Sequence, residues 1–278
     1  MELIDRHLAR GEFVIAPIGD IQYGSQGCAE DMLRAHVEQG IEEGWWFLGM
    51  GDYLDTMSPG NRKALVAAKA SLYDSARQII DEAVHNRVSE LAGGCLAGTE
   101  GRWLGMVEGD HLWVDEQGQP CDHLLAQKLK APYLGHAAIV SVYQKGVDRP
   151  LRIFVTHGAG SSVSATGKTL HLERLLSAFD VDIVLMGHSH LKYAVPVERI
   201  KPVTVGGGFD LFAEKKVVGI TGSFLKGYEA HTRSSAGVPA GSYVEQKALR
   251  PVALGAIRIT AKPVKHEWGW EWDLSATT

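Results

Sequence analysis

The sequence predicts a layered α/β sandwich built on mixed sheets, and three observations predict it. Apolar strand-like runs alternate with helical patterns through roughly the first two-thirds of the 278 residues. Beyond residue 200, strand-like runs follow one another directly, separated by glycine-rich turns. Five runs end in residues able to ligate a metal or react, namely Asp20, Asp52, Thr99-Glu100, His157 and His188. Ligands of α/β sheets gather beyond the carboxyl ends of strands, so this recurrence is the main functional signal of the chain.

Taken in order, Phe13-Val14-Ile15-Ala16-Pro17-Ile18 is a short apolar run stopped by Gly19-Asp20, the mark of a buried strand entering a loop. Leu33, Val37 and Ile41 recur at four-residue steps, which predicts a helix over 29–43. Trp45-Trp46-Phe47-Leu48-Gly49-Met50 is a second apolar run, again stopped by a Gly-Asp pair, Gly51-Asp52. A long helical pattern over 62–91 is carried by Leu65, Leu72, Ile79, Ile80, Ala83 and Val84. Residues 93–98 read as a short strand leading into Thr99-Glu100, and 101–120 as a variable segment with acidic residues, glycines and two tryptophans.

A helix is predicted over 122–130, and strands over 137–143 and 151–156. Leu172, Leu175, Leu176 and Phe179 stand at i, i+3, i+4 and i+7, one apolar helical face. Asp182-Ile183-Val184-Leu185-Met186 is a strand that stops at Gly187-His188. Three further strands are read over 202–205, 216–221 and 252–259, with Gly206-Gly207-Gly208 as a tight turn or hinge. No linker divides the chain, so one domain is expected over 1–278, with 200–278 mostly β and part of it.

Composition bounds the function. Hydrophobic residues at 45% and charged residues at 22% are ordinary for a globular protein. A formal net charge of -5 gives no basic footprint, so a nucleic-acid partner is not indicated. No stretch approaches the ~20 apolar residues of a membrane span, and the first residues lack the order of a secretion signal. A cytoplasmic location without a membrane partner is expected. Cys28, Cys95 and Cys121 are odd in number and widely spaced, which argues against a disulfide framework or a cysteine zinc site.

His188 and His190 lie two residues apart just after an apolar strand, with Gly187 in front to let the backbone turn. By itself the pair fits a solvated loop, and Gly-Asp at a strand end is a common turn. Together, Asp20-Ile21-Gln22, Gly51-Asp52, Thr156-His157-Gly158 and Gly187-His188-Ser189-His190 occur in that order, each after a strand. The chain thereby resembles the calcineurin-like metallophosphoesterase family, whose motifs run D-x-H, G-D, G-N-H-[DE], a later H and G-H-x-H. The likeness covers residues 14–190, roughly two-thirds of the chain. Ile220-Thr221-Gly222-Ser223-Phe224-Leu225, Ser242-Tyr243 and Arg250-Pro251 add a weaker likeness to a branch met in bacteriophage genomes.

What the resemblance implies is a four-layer α/β/β/α sandwich holding two divalent ions, with Mn favoured and Fe, Zn or Ni as alternatives. Asp20, Gln22, Asp52 and His190 would hold the first ion. Asp52, His157 and His188 would hold the second, with Thr99 from the third motif. The implied activity is hydrolysis of a phosphomonoester or phosphodiester by a metal-bridging hydroxide, the substrate being a small phosphoester or a nucleotide.

Two departures from the pattern stand out. Gln22 takes the place of a histidine, either as an amide ligand tuned toward manganese or as a hydrogen-bond partner of a ligand. Gly98-Thr99-Glu100-Gly101-Arg102 occupies the expected third motif. There Glu100 would be the proton donor only if its pKa were raised, and Arg102 would clamp a phosphate or simply pair with Glu100. The altered motif tilts the expected substrate toward diesters or good leaving groups. His111 just downstream is read as a solvated loop residue, although it is near enough in sequence to supply the missing imidazole.

Other features are set aside. Gly167-Lys168-Thr169 lacks the first glycine of a P-loop, because residue 162 is Ser162. The Gly- and Ser-rich stretch 158–167 follows a proposed ligand and is expected to border the substrate pocket. Trp268, Trp270 and Trp272 alternate, so they would pack on the body or form an oligomer contact. The alternative function is a catalytically weakened metal-binding scaffold or regulatory protein, and a nuclease is a further variant.

Overall fold

Period-two alternation along the strands sorts apolar side chains onto two faces, and that sorting builds the layers. The computed structural model describes residues 1–56, 71–158, 165–234, 236–246, 248 and 250–278. The first strands are β1 (Glu2–Leu8), β2 (Phe13–Ile18), β3 (Trp46–Gly49), β4 (Trp103–Met106), β5 (Ala137–Gln144) and β6 (Val147–Thr156). The rest are β7 (Ile183–Met186), β8 (Lys192–Val205), β9 (Gly208–Ser223), β10 (Gly255–Ala256), β11 (Arg258–His266) and β12 (Gly269–Thr277). The described helices are α1 (Glu30–Glu42), α2 (Asp74–Gly93), α3 (Cys121–Lys128), α4 (Ala165–Ala178) and the short α5 (Tyr243–Gln246).

Two mixed sheets result. One has the order β12-β11-β2-β3-β4, and the other β1-β5-β6-β7-β9-β10 with β8 paired to β9. Strands β2, β3 and β4 are mutually parallel, as are β6, β7 and β9. Ile15, Leu48 and Leu104 of the first sheet meet Ile153, Ile183, Leu185 and Val217 of the second in a core between the sheets. Ala16, Phe47 and Trp103 point the other way, toward Leu33 and Val37 of α1, Val88 and Leu91 of α2, and Leu125 of α3. Val184, Met186, Val218 and Ile220 likewise cover Leu172 of α4. The layer order is therefore α/β/β/α.

At the amino ends of β6, β7 and β9, Arg149 binds Asp182 at 2.6 Å, Glu214 at 2.8 Å and Glu271 at 2.9 Å, tying both sheets together. The Gly206-Gly207 turn joins β8 to β9 with Val205 opposite Gly208, and φ of 58° and 82° there is the left-handed geometry a two-residue hairpin needs. Cys28, Cys95 and Cys121 are buried free thiols. Among the described residues, no helix is long and apolar enough to cross a membrane.

Two expectations are corrected. Residues 93–98 are not a strand: α2 runs through Gly93 and turns follow, while the strand lies in 101–120, at Trp103–Met106. All four residues of that strand are buried, so it carries no alternation to read. Two strands were not expected, the largely exposed edge β1 and the final β12. Of the two readings of the tryptophans, packing on the body holds for Trp270 and Trp272, which lie on β12 at 8% and 3% exposure inside the core between the sheets. Trp268 sits in the β11–β12 turn, stacked on His266 at 4.5 Å. Of the long helical pattern over 62–91, residues 62–70 lie outside the described residues.

Leu185 is fully buried between the sheets and Leu3 is 72% exposed on β1. Leu185→Ala is expected to cost about 2–5 kcal/mol in urea denaturation, and Leu3→Ala less than about 0.5 kcal/mol.

Candidate metal centre

Parallel register brings the carboxyl ends of the central strands to one edge of the sandwich. Ile18 is level with Gly49, and Gly49 with Met106, in the first sheet; Thr156 is level with Met186 in the second. The loops that follow carry Asp20, Asp52 and Asp110 from one sheet, and His157, His188 and His190 from the other.

The backbone at this edge is strained. Asp20, Gln22, Asp52, His188 and His190 adopt φ of 48°, 54°, 52°, 63° and 58°, a region that costs non-glycine residues on the order of 1–3 kcal/mol each. Loop-to-loop hydrogen bonds hold it: Asp20 N–H donates to Gly51 O at 2.9 Å, Gln22 N–H to Asp52 O at 3.1 Å, and Phe224 N–H to Asp20 O at 3.1 Å. Gly109 is required for close approach, because a Cβ there would fall on the backbone nitrogen of Asp52. With that contact made, Asp110 and His111 donate their backbone N–H groups to Asp52 Oδ1 at 2.5 and 2.7 Å.

Asp52 Oδ2 accepts from Gln22 Nε2 at 3.1 Å and stands 3.4 Å from His157 Nε2 and 3.7 Å from His111 Nε2. His157 Nδ1–H donates to Met50 O at 2.7 Å, which turns Nε2 toward the carboxylates. His190 Nε2 lies 3.3 Å from Asp20 Oδ1, and His188 Nδ1 3.1 Å from Asp110 Oδ2. Two overlapping groups, Asp20-Asp52-His157 and Asp110-His157-His188, each gather ligand atoms within 4.8 Å of one another.

Charge follows this packing. Burial works against ionised Asp52, but the His157 hydrogen bond and charge, aided by His111, outweigh it and hold its carboxyl below the usual range. Burial also opposes a charged His157, yet the Asp52 hydrogen bond and the Asp20 and Asp52 charges raise its pKa. The His188 hydrogen bond holds Asp110 low.

Of the residues singled out from sequence, Asp20, Gln22, Asp52, His157, His188 and His190 come together here. Thr99, Glu100 and Arg102 do not, which is a correction. They precede β4 whereas the cluster follows it, and four strand residues span roughly 10 Å. The Thr99 hydroxyl donates to Leu96 O at 2.7 Å and accepts from Trp103 Nε1 at 3.0 Å. Glu100 is exposed, and Arg102 donates to Ile41 O at 3.1 Å.

Asp110 was missed, and His111 is not a solvated loop residue. Its side chain is only 13% exposed, and its Nδ1 lies 3.2 Å from Asp55 Oδ1. The signal was a third Gly-Asp after an apolar run, Gly109-Asp110, followed by His111. Within the stretch 158–167, residues 159–164 lie outside the described residues.

No protein-family model matches the chain, nor does any curated protein. Among solved structures, it is similar to a conserved Streptococcus pneumoniae protein described as a predicted phosphoesterase. That match has 11% identity and a TM-score of 0.39, over 96% of this chain and 100% of that one. Vps29 of Entamoeba histolytica is similar at 14% identity and a TM-score of 0.38, over 96% and 100%. Vacuolar Protein Sorting 29 of Cryptosporidium parvum is similar at 13% identity and a TM-score of 0.34, over 97% and 100%. Likeness at this level leaves the case to the chain's own geometry.

Behind the cluster, Asp122 accepts the Gly109 N–H at 2.9 Å, and burial pushes its pKa up to about 7. Between roughly pH 4 and 7 the folded chain therefore keeps a proton that the unfolded chain has released, so this group's contribution falls as pH rises. Asp122→Asn keeps an acceptor for Gly109 without the charge. It is expected to match the parent in urea denaturation at pH 4 and to be the more stable of the two at pH 8.

Proposed function

We propose that the chain is a metal-dependent phosphoesterase, hydrolysing a phosphomonoester or phosphodiester with two divalent ions. One observation carries this: Asp20 is wholly buried with His190 Nε2 no closer than 3.3 Å to its Oδ1, and His157 Nε2 is buried 3.4 Å from Asp52 Oδ2, both long for such pairs. A buried polar atom without a good partner costs about 1–3 kcal/mol, more if charged. Cations are the partners that fit carboxylates and imidazoles gathered this closely.

Asp20, Gln22, Asp52 and His190 would hold one ion, and Asp52, Asp110, His157 and His188 the other. Oxygen and nitrogen donors without thiolate suit manganese, iron, zinc or nickel. Gln22, which gives its amide N–H to Asp52, offers an oxygen where imidazole would favour softer ions, so manganese is preferred. Bound ions would polarise phosphoryl oxygens and acidify water enough to supply a nucleophile near neutral pH.

The chain's own groups do the rest. Backbone N–H donors on Asp52 Oδ1 fix that carboxylate, and the Met50 carbonyl fixes His157. Asp55 on Nδ1 orients His111 so that Nε2 faces the cluster, placing an imidazole where a leaving oxygen needs a proton. His111 thus takes the role that Glu100 was expected to fill, and the tilt toward diesters loses its basis. The scaffold alternative rested on a weakened third motif together with Gln22, and Asp110 with His111 weakens the first of those supports. A net charge of -5 gives the nuclease variant nothing.

Metal analysis joined to hydrolysis of aryl phosphoesters tests this. The parent should take up Mn2+ and turn over, and Asp52→Asn should lose metal and at least about a hundredfold in kcat/KM. Bound metal without turnover on any ester would favour the scaffold. Near-normal turnover by Asp52→Asn would sink the two-ion assignment.

A further inference from the structure

Helix α4 and the residue after it lay an apolar stripe on the outer face of β7 and β9, with Leu172 fully buried and Leu175, Leu176 and Phe179 partly so. Lys168 stands one turn earlier on the same stripe, four residues before Leu172, where a further apolar residue would continue the pattern. The helix connects the parallel strands β6 and β7, so it runs back against them and begins at their carboxyl ends. Side chains on a helix lean toward its amino end. The stripe therefore delivers the Lys168 stem to the edge of the sandwich where His157 and His188 follow their strands.

Lys168 is half-buried, and no described residue forms a hydrogen bond or ion pair with its ammonium. Burial pushes its pKa down, while the charge of Asp20 works in the opposite direction. Lys168 is thus electrostatically in touch with the centre without being tied to any carboxylate there.

Charge balance says what such a cation would meet. Two divalent ions against the carboxylates of Asp20, Asp52 and Asp110 and one hydroxide nucleophile leave no net positive charge. A phosphodiester then brings one uncompensated negative charge, and a phosphomonoester dianion brings a second. A lysine at the rim matches that second charge.

We propose that Lys168 is a positioning residue that takes the second negative charge of a phosphomonoester at this centre, making monoesters the preferred substrate class. The inference rests on the two-ion reading above.

The Mn2+-loaded full chain tests it, as parent, Lys168→Met and Lys168→Arg. Inorganic phosphate is titrated by calorimetry at pH 8, and kcat/KM is measured for 4-nitrophenyl phosphate and bis(4-nitrophenyl) phosphate. Lys168→Met should bind phosphate about tenfold more weakly or worse, and lose a similar factor on the monoester, with the diester within about threefold. Lys168→Arg should restore phosphate binding to within about threefold. Unchanged phosphate binding in Lys168→Met, an equal loss on both esters, or Lys168→Arg as poor as Lys168→Met overturns this inference alone. So does a loaded parent that binds no phosphate or prefers the diester. Failure to take up metal overturns the two-ion reading as well.

Discussion

Burying the Asp20 carboxylate with only the long 3.3 Å approach of His190 to its Oδ1 works against folding, and the surrounding structure exists to tolerate it. Free energy of that kind must come from packing elsewhere. The core between the sheets, with Ile15, Leu48, Leu185 and Val217 at zero exposure, supplies apolar burial within one layer of the acids. Five left-handed non-glycine residues sit at the same edge and add to the load. Such concentration of poorly paired buried charge and strain in one place is what a binding site requires and what a structural core avoids.

The cluster also straddles the two sheets. Its three carboxylates follow β2, β3 and β4, and its three histidines follow β6 and β7. The hydrogen bonds from His157 to the Met50 carbonyl and from Phe224 to the Asp20 carbonyl already bridge the layers here. Ions shared between carboxylates and imidazoles would clasp the sheets at the site edge, as the Arg149 network clasps them at the opposite edge. Binding and stability are then linked: whatever loads the site also tightens the sandwich.

Much of this was legible in the sequence. Strand ends marked by Gly19-Asp20, Gly51-Asp52, His157 and Gly187-His188 were found because an apolar run stopped at a polar residue each time. The third motif was misplaced because Trp103-Leu104-Gly105-Met106 has no alternation, whereas Gly93 to Gly98 looked like a short apolar run. That run is instead the end of a helix and its turns, where Cys95 and Leu96 pack into the helical core. Spatial facts stayed out of reach altogether: nothing in the sequence says that a Cβ at Gly109 would strike Asp52, or that Asp55 would orient His111. Strand β1 escaped notice because its exposed edge carries Glu2, Asp5, Arg6 and His7 among its apolar residues.

The central claim is that Asp20 and its neighbours form a cation-binding site. Melting temperature measured against increasing Mn2+, from a chelated start, tests it most directly. The parent is expected to melt higher as the ion is added, continuing to rise with the logarithm of its concentration. Asp20→Asn, which tolerates the same left-handed backbone, should show little or no rise. A parent indifferent to Mn2+, or an Asp20→Asn variant that gains as much as the parent, would contradict the claim.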